Sequence, residues 1–110
     1  NLDPVYEYTK KYENVFCSQG IHPHEAKDYT EAVHQKLSAL FNAKQEKVVA
    51  VGEIGLDFHY TRSPKNEQRE AFEKQLQIAC DNDYPVIIHS RDADDEMMSV
   101  LKSLTSHRNN

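Results

Sequence analysis

The chain has 110 residues with a formal net charge of −5, which allows one modest domain and excludes a broadly basic polyanion-binding protein. A hydrophobic content of 38% with 28% charged residues favours a folded soluble protein over a disordered one. No apolar run approaches membrane-spanning length, and nothing resembles a signal peptide, so we expect no contact with a membrane.

Hydrophobic periodicity predicts seven elements that alternate between helix and strand. In chain order they are a helix near Pro4–Lys11, a strand near Val15–Gly20, a helix near Thr30–Ala43, a strand near Val48–Glu53, a helix near Asn66–Asp81, a strand near Pro85–Ser90 and a helix near Ala93–Leu104. The helical assignments rest on apolar stripes such as Leu37, Leu40 and Phe41. Strands alternating with helices predict an α/β fold with a parallel sheet.

The second and third strands have the apolar character of buried parallel strands. Val48–Val51 and Pro85–Ile88 do not alternate apolar with polar residues, which predicts burial on both faces. Three strands are few for such a sheet, because both outer strands expose edges that need cover. We therefore expect a piece of a larger protein, or a chain that needs a partner. The start at Asn1, without methionine, favours a piece.

Cysteine usage indicates the compartment. Cys17 and Cys80 are the only two cysteines, and their spacing is not that of a metal site. This pattern predicts reduced thiols in an intracellular protein, cytoplasmic or, in a eukaryote, also nuclear. A disulfide is the alternative.

Residues capable of chemistry follow each predicted strand. The carboxyl ends of parallel strands build active sites in barrels and in open sheets. These ends carry His22 and His24, then Glu53 and Asp57, then His89, Arg91 and Asp92. Histidine nitrogen and carboxylate oxygen from adjacent strands predict a divalent-metal site. The glycines on either side of Glu53 would leave its carboxylate room for an ion.

Each of these residues taken singly also has a structural interpretation. Glu53 could be a solvated turn residue, and the His22-Pro23-His24 turn could face water. Arg91 and Asp92 could form a surface ion pair, with Asp92 capping the last helix. Three other histidines have no predicted convergent partner and are interpreted as solvated: His34, His59 and His107.

Three stretches together resemble the TatD family of metal-dependent deoxyribonucleases. They are "GIHPHE" (Gly20–Glu25), "VAVGEIGLDF" (Val49–Phe58) and "PVIIHSRDA" (Pro85–Ala93). The resemblance covers essentially the whole chain but under half of the family's length. It implies a TIM-type (β/α) barrel of the metal-dependent hydrolase kind. Residues 1–110 would then form one partial barrel domain with both ends missing and about three βα units present.

The resemblance also assigns roles to individual residues. It implies that Glu53 and His89 bind metal, with Glu53 also catalytic through positioning the ions and the attacking water. It implies that His22 and His24 contact substrate phosphate, and that Arg91 helps to hold it. The family's other metal ligands lie on strands outside this chain, so we expect this segment alone to be inactive.

The resemblance implies a hydrolase that cleaves phosphodiester bonds of DNA, acting like an exonuclease. One or two divalent ions would serve as cofactor, with Mg²⁺, Mn²⁺ and Zn²⁺ not distinguished. DNA, with RNA as a second candidate, would be the substrate, and further barrel segments or a partner chain would cover the sheet edges. Two alternatives stay open: an amide or ester hydrolase on the same barrel, and a truncated, inactive interaction module.

Overall fold

The computed structural model describes Thr9, Tyr12 and residues 16–108, with residues 105–108 described by their backbone alone. The elements are β1 (Cys17–Gln19), a 3-10 helix (Pro23–Asp28), α1 (Glu31–Asn42), β2 (Val48–Asp57), α2 (Lys65–Asn82), β3 (Val86–Arg91) and α3 (Asp94–Arg108). The helix predicted near Pro4–Lys11 lies outside the described residues, apart from Thr9. The other six predicted elements are present.

The three strands form one parallel sheet in the order β1–β2–β3, as the alternating pattern predicts. β2 is the central strand and extends past the predicted end at Glu53 as far as Asp57. The extension is paired along its length, because β3 lies in register with it up to the partners Asp57 and Arg91. This longer β2 brings a second carboxylate into the sheet.

The helices pack on one face of the sheet and form the core there. Leu37 and Phe41 of α1 and Phe72 of α2 are almost completely buried, as are Val51 and Ile54 of β2. The predicted apolar stripes thus face the sheet. Burying each such side chain contributes about 1.5–3 kcal/mol to stability, and this fixes α2 against the strand that carries Glu53.

The other face of the sheet is open. Val49 is 46% exposed, and Ile87 and Ile88 are also exposed. The prediction that Val48–Val51 is buried on both faces is therefore wrong for the described chain. In a closed barrel this face is the interior and is filled by side chains from the remaining strands, and three strands cannot close a barrel.

Local signals define where the helices begin and end. The Thr30 hydroxyl accepts a hydrogen bond from the Val33 amide at 3.2 Å and caps α1. α2 ends at Asn82 and is followed by Asp83, whose φ of 60° is the left-handed conformation common after a helix. α3 begins at Asp94 rather than after a cap at Asp92, so the predicted Asp92 cap is wrong.

The two cysteines are both free, with Cys17 buried in the core and Cys80 partly buried. Cys17 Sγ accepts a weak hydrogen bond from Gln19 Nε2 at 3.6 Å. Across the described part of the chain, every helix is too short or too polar to cross a lipid bilayer.

Candidate metal centre

Side chains from three consecutive strand–loop units meet at one place on the sheet. His22 follows β1, Glu53 lies in β2 and His89 lies in β3, and one ligand atom from each lies within 4.8 Å of the others. Glu53 Oε1 is 3.5 Å from His22 Nε2 and 3.5 Å from His89 Nδ1. We call these three residues the open cluster, because half of the Glu53 side chain is exposed. The convergence agrees with the prediction from the strand ends.

A second carboxylate on β2 lies in a different environment. Asp57 is fully buried, and its Oδ2 atom accepts hydrogen bonds from His24 Nε2 and His89 Nε2, each at 2.9 Å. Its Oδ1 atom accepts a third, from the His59 backbone amide at 3.1 Å. We call Asp57, His24 and His89 the closed cluster.

The closed cluster keeps the Asp57 carboxylate charged. Burial alone would raise the pKa of Asp57, but the hydrogen bonds from His89, His59 and His24 lower that pKa to about 2. At neutral pH Asp57 is therefore ionised and can only accept hydrogen bonds. The facing nitrogen of each histidine must donate.

His89 belongs to both clusters and faces each with a different ring nitrogen. Its Nε2 donates to Asp57, while its Nδ1 lies on the side of Glu53. In neutral His89 the proton is on Nε2, so Nδ1 presents a lone pair to the open cluster. A carboxylate that orients a histidine in this way is the usual outer partner of a metal-binding imidazole.

His22 has the reverse arrangement. Its Nδ1 accepts a hydrogen bond from the His24 backbone amide at 3.1 Å, which caps the 3-10 helix. Burial, together with the nearby His24 and His89 rings, lowers the pKa of His22 and favours its neutral form. The single proton then sits on Nε2, the nitrogen that faces Glu53. His22 thus offers an N–H donor to the open cluster, whereas His89 offers a lone pair.

Two buried glutamines on one face of α2 hold the backbone that carries the site. Gln68 Oε1 accepts from the Asp57 amide at 2.8 Å, and Gln68 Nε2 donates to the Asp57 carbonyl at 3.0 Å. Gln75 Oε1 accepts from the Ile21 amide at 2.7 Å, and Gln75 Nε2 donates to the Ile21 carbonyl at 3.3 Å. Both side chains are completely buried. Helix α2 therefore fixes the backbone of Asp57 and the residue before His22.

Glycine is required where β2 and β3 approach each other beside the site. Gly55 has a φ of 144°, and a Cβ there would lie 1.9 Å from the His89 carbonyl oxygen. A Cβ on Gly52 would lie 2.7 Å from Ile87 Cβ. No side chain fits at either position, and this close approach places Glu53 beside His89.

The structure places the remaining predicted site residues outside the open cluster. His24 faces Asp57, through the 2.9 Å hydrogen bond of its Nε2. Arg91 is the last residue of β3, and its Cζ lies 5.0 Å from the centroid of the Tyr60 ring. Neither side chain is part of the group formed by His22, Glu53 and His89.

Two of the histidines predicted to lack a partner have one, so that part of the prediction is wrong, although His59 is exposed to solvent as predicted. His59 Nδ1 lies 2.7 Å from Asp92 Oδ2, and His34 Nδ1 lies 2.7 Å from the Tyr29 hydroxyl. The first pair joins the loops after β2 and β3, which only the parallel pairing of the strands brings together. The His107 side chain lies outside the described residues.

Sequence reasoning missed the roles of Asp57, Gln68 and Gln75. Asp57 had a signal, because it follows closely after Glu53 at the carboxyl end of the predicted strand. The two glutamines had none, because a glutamine in a polar helix usually indicates a solvated face.

Three comparisons with known proteins bear on this site. A family model described as TatD related DNase matches residues 1–109. The chain is 41% identical over 99 residues to the uncharacterized metal-dependent hydrolase YabD of Bacillus subtilis, covering 87% of this chain and 37% of YabD. It is 39% identical over 93 residues to the 3'-5' ssDNA/RNA exonuclease TatD of Escherichia coli, covering 84% of this chain and 35% of that exonuclease.

A solved structure shows the same architecture. YjjV, a TatD homologue from Escherichia coli, superposes with a TM-score of 0.83 at 31% identity over 90% of this chain and 38% of YjjV. The predicted fold, a segment of a TIM-type barrel hydrolase, is thereby confirmed. The chain spans 35–38% of the length of these three relatives.

Proposed function

This chain belongs to the TatD-related DNase family, and from that premise we propose that the intact protein is a metal-dependent nuclease. The finer proposal is a deoxyribonuclease that removes nucleotides from the end of a strand. The observation that supports a metal-dependent enzyme is the convergence of the Glu53 carboxylate with the lone pair of His89 Nδ1. The E. coli relative named as a 3'-5' ssDNA/RNA exonuclease supports the same class of substrate.

The donor set of the open cluster fits a divalent cation. Glu53 supplies carboxylate oxygen and His89 supplies neutral nitrogen, which Mg²⁺, Mn²⁺ and Zn²⁺ accept to different degrees. We assign both residues as ligands, with further ligands from barrel segments outside this chain. When bound, a divalent cation supplies Lewis acidity to a phosphate and lowers the pKa of a neighbouring water.

The residues around the cluster are assigned to the phosphate. His22 Nε2–H points into the open cluster and can donate to a phosphate oxygen while the ring is neutral. His24 keeps only Nδ1 for substrate, because Asp57 holds its Nε2, so it donates to a phosphate only when protonated. Arg91 provides a permanent positive charge at the end of β3.

Asp57 is assigned a positioning role. Its hydrogen bond to His89 Nε2 selects the tautomer in which Nδ1 is free to bind metal. Its burial and its hydrogen bonds from His24 Nε2 and the His59 amide hold the carboxylate in this orientation. Asp57 thus acts through His89.

The charge of the chain favours action on a strand end. The segment carries a net charge of −5, while sequence-independent grip on a duplex relies on many lysine and arginine contacts. We therefore propose that the protein acts on a strand end or a frayed strand rather than on an intact duplex. We further propose that residues 1–110 lie within one barrel domain, in which other strands cover Val49, Ile87 and Ile88.

Cleavage by the intact protein tests this function. End-labelled single-stranded DNA, single-stranded RNA, nicked duplex DNA and a panel of small amides and esters are incubated with Mg²⁺, Mn²⁺ or Zn²⁺. We expect metal-dependent release of mononucleotides from single-stranded DNA, abolished by a chelator and restored by adding metal back. Hydrolysis of the amides or esters with all strands intact would replace the nuclease proposal with the alternative hydrolase.

A further inference from the structure

A group of cationic and aromatic side chains lies at the carboxyl ends of β2 and β3. The Arg91 and Arg62 guanidinium carbons lie 5.0 and 5.4 Å from the centroid of the Tyr60 ring. The His59 ring meets the same ring edge to face, with centroids 4.4 Å apart. We call Tyr60, Arg62 and Arg91 the Tyr60 patch.

The patch is accessible and its charges are not neutralised. Tyr60 is 59% exposed, and both arginines are exposed. Neither guanidinium forms an ion pair with a carboxylate of the described residues, although the chain as a whole is acidic. Packing does not explain this arrangement, because the ring is exposed and the two guanidinium groups have no carboxylate partner among the described residues. It is, however, the combination that binds a base next to a phosphate.

The loop that carries Tyr60 is attached to the closed cluster. The His59 amide donates to Asp57 Oδ1 at 3.1 Å, and the Phe58 amide donates to the Arg91 carbonyl at 3.0 Å. The Thr61 hydroxyl donates to the Phe58 carbonyl at 3.2 Å and closes the turn. These bonds hold the backbone that carries Tyr60 at the carboxyl ends of β2 and β3, the strands that carry Glu53 and His89.

We propose that the Tyr60 patch is a substrate subsite, in which the Tyr60 ring stacks on one base of a single-stranded polynucleotide and the guanidinium groups hold an adjacent phosphate. This inference rests on the proposed nuclease function and adds a residue that touches a base. Stacking tolerates any base, because every base has a π-face, and it does not use the 2'-hydroxyl. The subsite therefore accepts DNA and RNA strands alike.

The opposite end of the sheet offers a matched control. Phe16 is 51% exposed and lies under Lys47 Nζ, which is 4.5 Å from the ring centroid. This pair has the same cation–aromatic chemistry as the Tyr60 patch. Phe16 and Lys47 precede β1 and β2, whereas the Tyr60 patch lies at the carboxyl ends of β2 and β3.

Strand binding by the intact protein, measured by fluorescence anisotropy with a chelator present to prevent cleavage, tests the subsite. The probes are a labelled oligothymidylate and an oligouridylate of about ten nucleotides, and an abasic strand of the same length. Tyr60→Ala should weaken binding of both base-containing strands by roughly 5- to 150-fold and leave the abasic strand bound as before. Tyr60→Phe should retain the wild-type affinities, and Phe16→Ala should change none of them.

The salt dependence of strand binding tests the phosphate contact of Arg62. Arg62→Gln should lower the slope of log affinity against log salt by about 0.7, the value for one lost phosphate contact on a single strand. Lys47→Gln, at the opposite end of the sheet, should leave that slope unchanged.

The outcomes separate this inference from the proposed function. Equal binding of base-containing and abasic strands by the wild type, or an unchanged preference in Tyr60→Ala, overturns the stacking subsite whatever the nuclease activity. A base preference that Tyr60→Ala abolishes, in a protein that cuts no strand when metal is added, supports the subsite and removes the nuclease proposal. If Tyr60→Ala weakened the binding of oligouridylate but not of oligothymidylate, the stacking subsite would also be overturned, because stacking does not distinguish ribose from deoxyribose.

Discussion

Glu53 and Asp57 lie on the same strand, contact the same histidine, and have opposite environments. Glu53 is half exposed, and its two histidine neighbours lie at 3.5 Å, beyond the length of a good hydrogen bond. Asp57 is fully buried, and its two histidine partners lie at 2.9 Å. The open cluster thus keeps unused ligand atoms, while both oxygen atoms of Asp57 already accept hydrogen bonds.

The difference separates two roles for a carboxylate. A group with unsatisfied oxygen atoms facing solvent is available to an ion, and its removal should change binding more than stability. A buried, fully bonded carboxylate is part of the structure, and its removal should change stability first. His89 belongs to both clusters, so its hydrogen bond to Asp57 in the closed cluster orients the nitrogen that it offers to the open cluster.

The largest expected effect is that of Glu53→Gln on catalysis. In the intact protein this change should lower the metal-dependent cleavage rate by more than about a hundredfold at limiting metal, because a neutral amide binds a divalent cation far more weakly than a carboxylate. The free energy of unfolding without metal should change by about 0.5 kcal/mol or less. Rates against metal concentration and a thermal melt measure the two effects.

Glu73→Gln is the control, because Glu73 is 51% exposed on α2 and lies outside the site. A wild-type rate for Glu53→Gln at limiting metal would remove Glu53 from the site.

Asp57→Asn should show the reverse pattern, with loss of stability as its main effect. The asparagine amide has one acceptor oxygen where three donors now point, so at least one buried donor loses its partner. We expect a loss of roughly 3 kcal/mol in the free energy of unfolding, measured by urea denaturation without metal. Asp28→Asn, at an exposed position, should be neutral. Unchanged stability in Asp57→Asn would mean that the closed cluster is not structural.

Gln68→Leu tests the clamp behind the closed cluster. Leucine keeps the volume but leaves the Asp57 amide and carbonyl without partners in a dry site. We expect a loss of about 2 kcal/mol, smaller than for Asp57→Asn because no charge is affected. Gln77→Leu, at an exposed position on the same helix, should change stability by about 0.5 kcal/mol or less. If both variants melt like the wild type, α2 holds the loop by packing alone.

His59→Ala should have the smallest effect, although its contact is the shortest of the histidine–carboxylate pairs among the described residues. His59 Nδ1 lies 2.7 Å from Asp92 Oδ2, but both side chains are exposed to solvent. Exposed pairs contribute about 0–1 kcal/mol, so we expect a loss within that range by urea denaturation. A loss as large as that of Asp57→Asn would show that contact distance, rather than burial, sets the value of these pairs.

Much of the fold was predictable because hydrophobic periodicity reports which face of an element is buried. The stripe containing Leu37 and Phe41 and the apolar run at Val48 were sufficient to predict helices, strands and their parallel order. The same rule located the candidate site. Because the carboxyl ends of parallel strands share one edge of a sheet, His22, Glu53 and His89 could be expected to meet without knowledge of any side-chain position.

The tertiary structure alone decided which polar residues are buried, and therefore what each of them does. Polar residue types such as those of Asp57, Gln68 and Gln75 usually lie on a solvated surface. These three are buried because α2 packs across the ends of the strands. The open face that exposes Val49 is equally a property of the assembled sheet. The sequence by itself determined the hydrophobic periodicity, and this periodicity determines where the helices and strands lie and which face of each is buried. A polar side chain takes its role from partners distant in the chain, and only the packed structure supplies those partners.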